Sequence, residues 1–269
     1  MLFPFNFLGS AFDPNAQAFI SAAGITNPTQ QNAINQLVID LKTYGLWTKM
    51  KAVYPMVGGT ASSCKYNLVN PQDTDAAFRL VFNGGWTFDN NGATPNGTNG
   101  YADTKFVMST GFNINNSLSF YSRTSAIQST SDSWNMGVGT LITGIPLYGL
   151  SAIRNGGSPF YDSGDYPNAR TIGSGSNGNG FWIGSCTSAS SRKFFRNDTL
   201  LATNTINQTP SLSLFPIYIG CLNNNNINQS QFVNNQFAFA SIGDGLTDTD
   251  ALNLYNRVQT FQTSISRQV

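Results

Sequence analysis

Apolar residues recur along this chain with two different periods, and the change between them near Lys51 organises the reading. Before it, the spacing is helical. Asp13-Pro14 reads as an N-cap and first helical residue, with Ala16, Phe19, Ile20 and Ala23 on one face and Gly24 as the stop. Asn27-Pro28 repeats the device with Gln30 three residues on, and Ile34, Leu37, Val38 and Leu41 form the next stripe, ending near Gly45. After Lys51 the period falls to that of strands. Candidates cover 51–57, 65–70, 76–83, 101–107, 117–123, 133–142, 146–154, 168–173, 179–187, 191–197, 199–204, 215–222 and 232–242. Gly58-Gly59-Thr60, Asn83-Gly84-Gly85, Gly156-Gly157-Ser158 and Asn223 to Asn226 punctuate them as turns. In FFRNDTLLATN, Asn197-Asp198 joins two strands as a tight hairpin. A dozen short strands with such punctuation predict an all-β sandwich or jelly roll, and no internal repeat is visible.

The end of the chain returns to the helical period. Phe237 to Ile242 alternate as a strand, and Gly243-Asp244-Gly245 breaks it. Thr247-Asp248-Thr249-Asp250 then has the form of a capping box, and Ala251, Leu254, Tyr255, Val258 and Phe261 share one helical face. A helix with one apolar stripe must lie on something. The β core is the only large surface the sequence offers.

Composition narrows the chemistry more than the fold. Of 269 residues, 40% are hydrophobic, enough for a real core, but only 10% are charged and the net charge is +1. That excludes a basic field for nucleic acid or anionic lipid, so neither partner is expected. Arg123, Arg154, Arg170, Arg192, Lys193 and Arg196 are dispersed among the β elements and read as surface solvation. There is no histidine, and all 13 acidic residues are aspartate, so no Ser-His-Asp or Cys-His constellation can form. Cys64, Cys186 and Cys221 are too scattered for a zinc site and read as isolated buried thiols, with one disulfide open as an alternative. No metal and no cofactor is expected. No run approaches a membrane span, so no membrane insertion is expected, and the apolar start lacks the basic residues of a signal peptide.

The phrases KFFRNDTLLATNT, LFPIYIGCLNNN and FAFASIGDGLTDTDALNLYNRVQTFQT together resemble the last third of a concanavalin A-like, laminin G-like jelly roll. YPMVGGTASSCKYNLVNPQDTDAAFRLVFNGGWT and ATPNGTNGYADTKF are similar to segments of bacteriophage and prophage virion proteins that carry this module. The resemblance runs from about Asp13 to the end. It implies an arm over 1–12, a helical segment over 13–50, and a jelly roll over 51–269 closed by its terminal helix. It also implies a non-enzymatic structural protein of the virion, in a tail, a fibre or a capsid decoration. Its partners would be other virion proteins, including copies of itself. The alternative is a lectin-like adhesin for a host surface glycan. Hydrolases of this fold use paired glutamates about 5 Å apart, and this chain has no glutamate.

Two groups of residues are candidates for contact with a partner. In SPFYDSGDYPNAR, Asp162 and Asp165 have the chemistry to hold Ca²⁺, and Tyr161 and Tyr166 the chemistry to stack on a sugar. A solvated turn accounts for the same residues. Trp86, Trp134 and Trp182 read as core aromatics rather than a sugar platform, with Trp86 beside Gly84-Gly85 the least secure. The second group is Phe3, Phe5, Phe7 and Phe12 in the arm, each worth about 1.5–3 kcal/mol if buried. They either fold back on the chain's own helices or insert into a neighbouring subunit.

Overall fold

The computed structural model describes residues 12–125, 133–152 and 158–269. Of the arm residues, Phe3, Phe5 and Phe7 lie outside this range, whereas Phe12 packs against the helical core. The chain opens with α1 (Pro14–Ala23), α2 (Pro28–Thr43), β1 (Met50–Tyr54), α3 (Ala61–Cys64), β2 (Val81–Asn83), β3 (Trp86–Asp89), β4 (Gly92–Pro95), β5 (Tyr101–Val107) and α4 (Met108–Gly111). It continues through β6 (Asn116–Ser122), β7 (Met136–Gly139), β8 (Pro146–Ser151), β9 (Phe160–Asp165), β10 (Arg170–Ile172), β11 (Gly180–Ser188), β12 (Ser191–Arg196) and β13 (Thr199–Asn204). It closes with β14 (Pro216–Ile219), β15 (Leu222–Asn224), β16 (Asn228–Ser230), β17 (Phe237–Gly243) and α5 (Asp248–Ser264).

These elements stack in three layers. The middle layer is a sheet in the order β13-β12-β11-β6-β17-β4-β3, with β1 also paired to β17. The outer layer is a second sheet in the order β10-β9-β8-β7-β14-β5-β2, with β15 and β16 beside β7. Pairing among the described residues is antiparallel, except where Asn223 meets Val138. Between the sheets lie Phe120, Trp182, Phe194, Phe237 and Ala240 from one side and Met136, Val138, Tyr148, Tyr161, Ile217 and Ile219 from the other. The opposite face of the middle sheet presents Tyr121, Phe181, Ile183 and Phe239 to α1, α2 and α5. The result is a β-sandwich with one helical layer.

The helices form where their caps and stripes predict them. Asp13 caps α1 and Gly24 ends it in the left-handed region at φ 64°, while Asn27 accepts from the Gln30 N–H to start α2. Thr247 and Asp250 form a reciprocal capping box on α5. Ala251, Leu254, Val258 and Phe261 are buried, as the stripe requires.

Some strand expectations need correction. Residues 65–70 form no strand and 76–83 only the short β2, because α3 and a turn over Asp75–Ala77 take the chain around the core. The hairpin β3–β4, strand β9 and strand β16 were not expected, and Asn223 and Asn224, read as turn, belong to β15; their polar and glycine-rich sequences conceal the period. The strict alternation expected over Phe237–Ile242 also breaks. A register shift between Phe237 and Phe239 turns Phe237 into the sandwich and Phe239 toward the helices.

Candidate functional site

The segment read as a loop around Tyr161 and Asp162 is instead the hairpin β9–β10. Strand period then decides which side chains remain accessible. Tyr161 points into the sandwich, is fully buried, and donates its hydroxyl to Asn116 Oδ1 at 2.9 Å. Burial pushes that hydroxyl well above its ordinary pKa. Phe160 and Asp162 point to the opposite, outer face. There Asp162 accepts from Arg170 Nε and Nη2 at 2.8–3.2 Å, with its side chain 1% exposed. Neither Tyr161 nor Asp162 is therefore open to a ligand. Asp162 and Asp165, three apart on one strand, face opposite ways and cannot share a cation. Among the described residues no group of three or more metal-ligating side chains occurs.

Arg170 was expected on the surface, yet its side chain is 7% exposed. Its guanidinium carbon lies 4.0 Å from the Phe160 ring centroid, 4.8 Å from that of Tyr166 and 5.6 Å from that of Trp134. Trp134 lies against two glycines of the outer sheet: a Cβ on Gly149 would come within 2.5 Å of the indole. Arg192 is also a correction. It is fully buried and donates to the carbonyls of Ser163, Ala189 and Ile206. Trp134 and Trp182 are both fully buried, as expected of core aromatics. Trp86 is half-buried, with its indole N–H on Asn83 and Tyr101 carbonyls.

Asp165 ends β9, Tyr166 opens the turn that follows, and both stay half-exposed. Their backbone is held on every side. Asp165 N–H donates to Gln208 Oε1 at 3.0 Å and its carbonyl accepts from Ala169 N–H at 2.9 Å. Tyr166 exchanges backbone bonds with Ile145 and Gly144. Asn204 Nδ2 donates to the Asn168 and Arg170 carbonyls, which ties the turn to β13. Gly164, at φ 139°, admits the 207–210 segment, since a Cβ there would meet Ala169 at 2.8 Å and Pro210 at 3.1 Å. The Asp165 carboxylate itself makes no hydrogen bond or ion pair among the described residues; every other described aspartate makes at least one. Register puts the exposed Ile142, Ile145, Leu214 and Ile227 at this same end of the outer sheet.

A fixed backbone, an uncommitted carboxylate and an aromatic ring backed by Arg170 can accept hydroxyl groups and pack against C–H surface. The three thiols are buried and free, and burial raises Cys64 to about 11, so none is poised as a nucleophile. Two hollows lie elsewhere. A groove of about 350 Å³ runs between α2 and α5 past Ala33, Leu37 and Phe261. A polar hollow of about 370 Å³ at the start of α5 is crossed by the Lys193–Asp248 ion pair.

No protein-family model matches this chain, and no curated protein does. Among solved structures it is similar to domain 4 of AbnA, a GH43 extracellular arabinanase from Geobacillus stearothermophilus, in complex with arabinotriose. The TM-score is 0.46 at 12% identity, covering 77% of this chain and 98% of that one. It is also similar to the botulinum neurotoxin serotype D binding domain, at TM-score 0.47 and 11% identity, covering 78% of this chain and 52% of that one. A third similar structure is the Ruminococcus gnavus IT-sialidase CBM40 bound to alpha2,3 sialyllactose. There the TM-score is 0.39 at 12% identity, covering 51% of this chain and 79% of that one. At these values none of them bears on what this chain binds.

Proposed function

We propose that this chain is a non-catalytic carbohydrate-binding β-sandwich of the concanavalin A-like jelly-roll type, which contacts its ligand through Asp165 and Tyr166. One observation carries the reading. Asp165 alone among the described aspartates leaves its carboxylate unspent, and it sits on a fixed turn whose next residue, Tyr166, lays its ring on Arg170 at the other face of the sheet. Leaving such a group uncommitted brings no stability, whereas a sugar hydroxyl supplies the charge-assisted bonds it lacks. The sharpest test is affinity electrophoresis through immobilised polysaccharides. The wild-type chain should be retarded, and Asp165→Asn and Tyr166→Ala should each abolish the retardation while leaving the unfolding transition in place. Equal retardation of both variants would refute the site.

The setting we propose is the surface of a bacteriophage particle, with the arm docked on other virion proteins; it rests on the sequence resemblance. Its test is separate. Purified particles should contain the chain at a copy number fixed by symmetry, and absence from particles would overturn the setting without touching the sugar site.

A further inference from the structure

We propose that the end of the outer sheet formed by residues 140–145, 205–215 and 223–229 inserts shallowly into an uncharged lipid surface. Among the described residues, the three large apolar side chains left most exposed are Ile227 at 82%, Leu214 at 73% and Ile142 at 60%, and Ile145 is exposed beside them. They come from separate segments. Ile142 lies in the turn between β7 and β8, Leu214 just before β14, and Ile227 in the turn after β15. The pairings of β7 with β8, β14 and β15 put all three at one end, on strands about 5 Å apart. No apolar run announces them, because they come together only in the fold.

Each tip is held outward by its own bonds. The Gly144 N–H donates to the Tyr166 carbonyl and the Ile145 N–H to that of Ile142. The Ser109 N–H donates to the Ser213 carbonyl and the Phe215 N–H to Ser213 Oγ, so that Leu212 and Phe215 pack against the core while Leu214 between them stays exposed. Asn225 and Asn226 adopt the left-handed region, the Asn226 N–H donates to Asn223 Oδ1, and the Ile227 N–H donates to the Asn224 carbonyl. Holding Ile and Leu in water on bonded turns gains the fold nothing, and their gathering at one end marks a contact surface.

Charge selects the occupant. Residues 107–115, 140–145, 205–215 and 223–229 contain no Lys, Arg or Asp. Lys105, further down β5, is paired with Asp103. The ion pairs Lys51–Asp244 and Lys193–Asp248 belong to the middle sheet and α5. The charge nearest the tips is the Asp165 carboxylate. Two copies of the chain joined end to end would bring two such carboxylates into one interface, with no cation in these segments to compensate. Protein interfaces also draw on Trp, Tyr and Arg, whereas the tips are aliphatic. Uncharged turns tipped with Ile and Leu suit the boundary between headgroups and acyl chains, where buried apolar area drives binding. Among the described residues no helix is long and apolar enough to cross a membrane, so the contact is with one leaflet.

The test is flotation of the full chain with vesicles of phosphatidylcholine alone, which carry no sugar. Wild-type protein should float with them equally at low and high salt, and added phosphatidylserine should not increase the bound fraction. Ile142→Ser, Leu214→Ser and Ile227→Ser should each lower the partition about tenfold, the scale of one such side chain leaving water. The denaturant midpoint should not move, because each side chain is exposed in the fold. Wild-type protein that does not float would overturn the inference. So would binding that needs phosphatidylserine, falls with salt and survives the triple variant. A wild-type chain that ignores vesicles but dimerises in sedimentation equilibrium, with the dimer lost in the triple variant, would give the tips to a second copy instead. Retardation by polysaccharide reads the Asp165–Tyr166 site separately and is untouched by any of these results.

Discussion

Two outward faces of the sandwich are buried, and they are closed by different means. The middle sheet is covered by α1, α2 and α5, three amphipathic helices with their own caps. The far face of the outer sheet carries a small core of Trp134, Leu147, Phe160 and Leu222, with Arg170 and Asp162 paired beside it. The first closure is written locally, in residues three or four apart. The second depends on partners brought together by sheet register. Each also contains a buried arginine used in its own way. Arg267, past the end of α5, has no carboxylate in contact among the described residues. It donates to the carbonyls of Pro55, Met56 and Ala238 and to Gln262 Oε1 at 2.5–2.7 Å, and burial pushes its guanidinium down to about 9. Arg170 is neutralised by Asp162.

The comparison breaks first at Arg267. Replacing it with Met removes four buried charge-assisted bonds at once, leaving only the Ala238 carbonyl with another donor, Gln262 Nε2, and frees the tail whose Val269 N–H donates to Tyr121 Oη at 2.8 Å. Arg267→Met should cost about 4 kcal/mol or more in denaturant unfolding, since hydrogen bonds to a charged group contribute about 1.5–3 kcal/mol each and do not add fully. A loss below about 1 kcal/mol would mean that water replaces the guanidinium and that the latch is ornamental.

At the outer face the corresponding change is Asp162→Asn, expected to cost about 3 kcal/mol because it removes a bidentate carboxylate from a buried guanidinium. The sharper measurement is the double variant Asp162→Asn with Arg170→Met. If the charge pair is only self-compensating, removing both partners should recover part of the loss. A double variant as unstable as the sum of the singles would assign the cost to packing of Arg170 against Phe160 and Tyr166 instead.

The same contrast explains what could be read from the sequence. The three long helices, the Asn197-Asp198 hairpin and the all-β body were legible because caps, stripes and turns are short-range signals. Asn197 does adopt φ 55°, as its place in that turn requires. Strand β9 was not legible. PFYDSGD looks like a loop because polar residues interrupt its apolar period, and distant partners make that polarity tolerable inside: Arg170 for Asp162 and Asn116 for Ser163. Of the four candidates there, Asp165 and Tyr166 stay at the surface, while Tyr161 and Asp162 are absorbed by the fold. Arg192 and Arg267 left no local signal, since their acceptors are mostly backbone carbonyls, which carry no residue identity, up to 212 residues away in the case of Arg267.

The smallest effect tests whether the helical closure is as local as its sequence suggests. Thr247 Oγ1 accepts from the Asp250 N–H at 3.2 Å, and Asp250 Oδ2 accepts from the Thr247 N–H at 2.9 Å and from Lys49 Nζ at 2.6 Å. Thr247→Ala should therefore cost about 1 kcal/mol, the usual value of a lost cap. Its pH dependence says more. Partial burial alone would raise the Asp250 carboxyl, but the bonds from Lys49 and Thr247 outweigh it and hold the group below its ordinary value. A carboxylate depressed on folding contributes stability that is fully present above its unfolded pKa, near 3.9, and is lost as pH falls through the lower folded value. Acid unfolding of the wild-type chain should draw on that contribution. In Thr247→Ala one of the stabilising donors is gone, so the folded value rises toward the unfolded one and the stability difference between the two proteins should narrow below about pH 4. If the two pH profiles stay parallel instead, the Thr247 hydroxyl contributes nothing to the charge of Asp250, which is left to Lys49 and the Thr247 N–H. The cap of α5 would then be governed by a residue about 200 positions earlier in the chain, and the helical face would be as dependent on long-range contacts as the outer one.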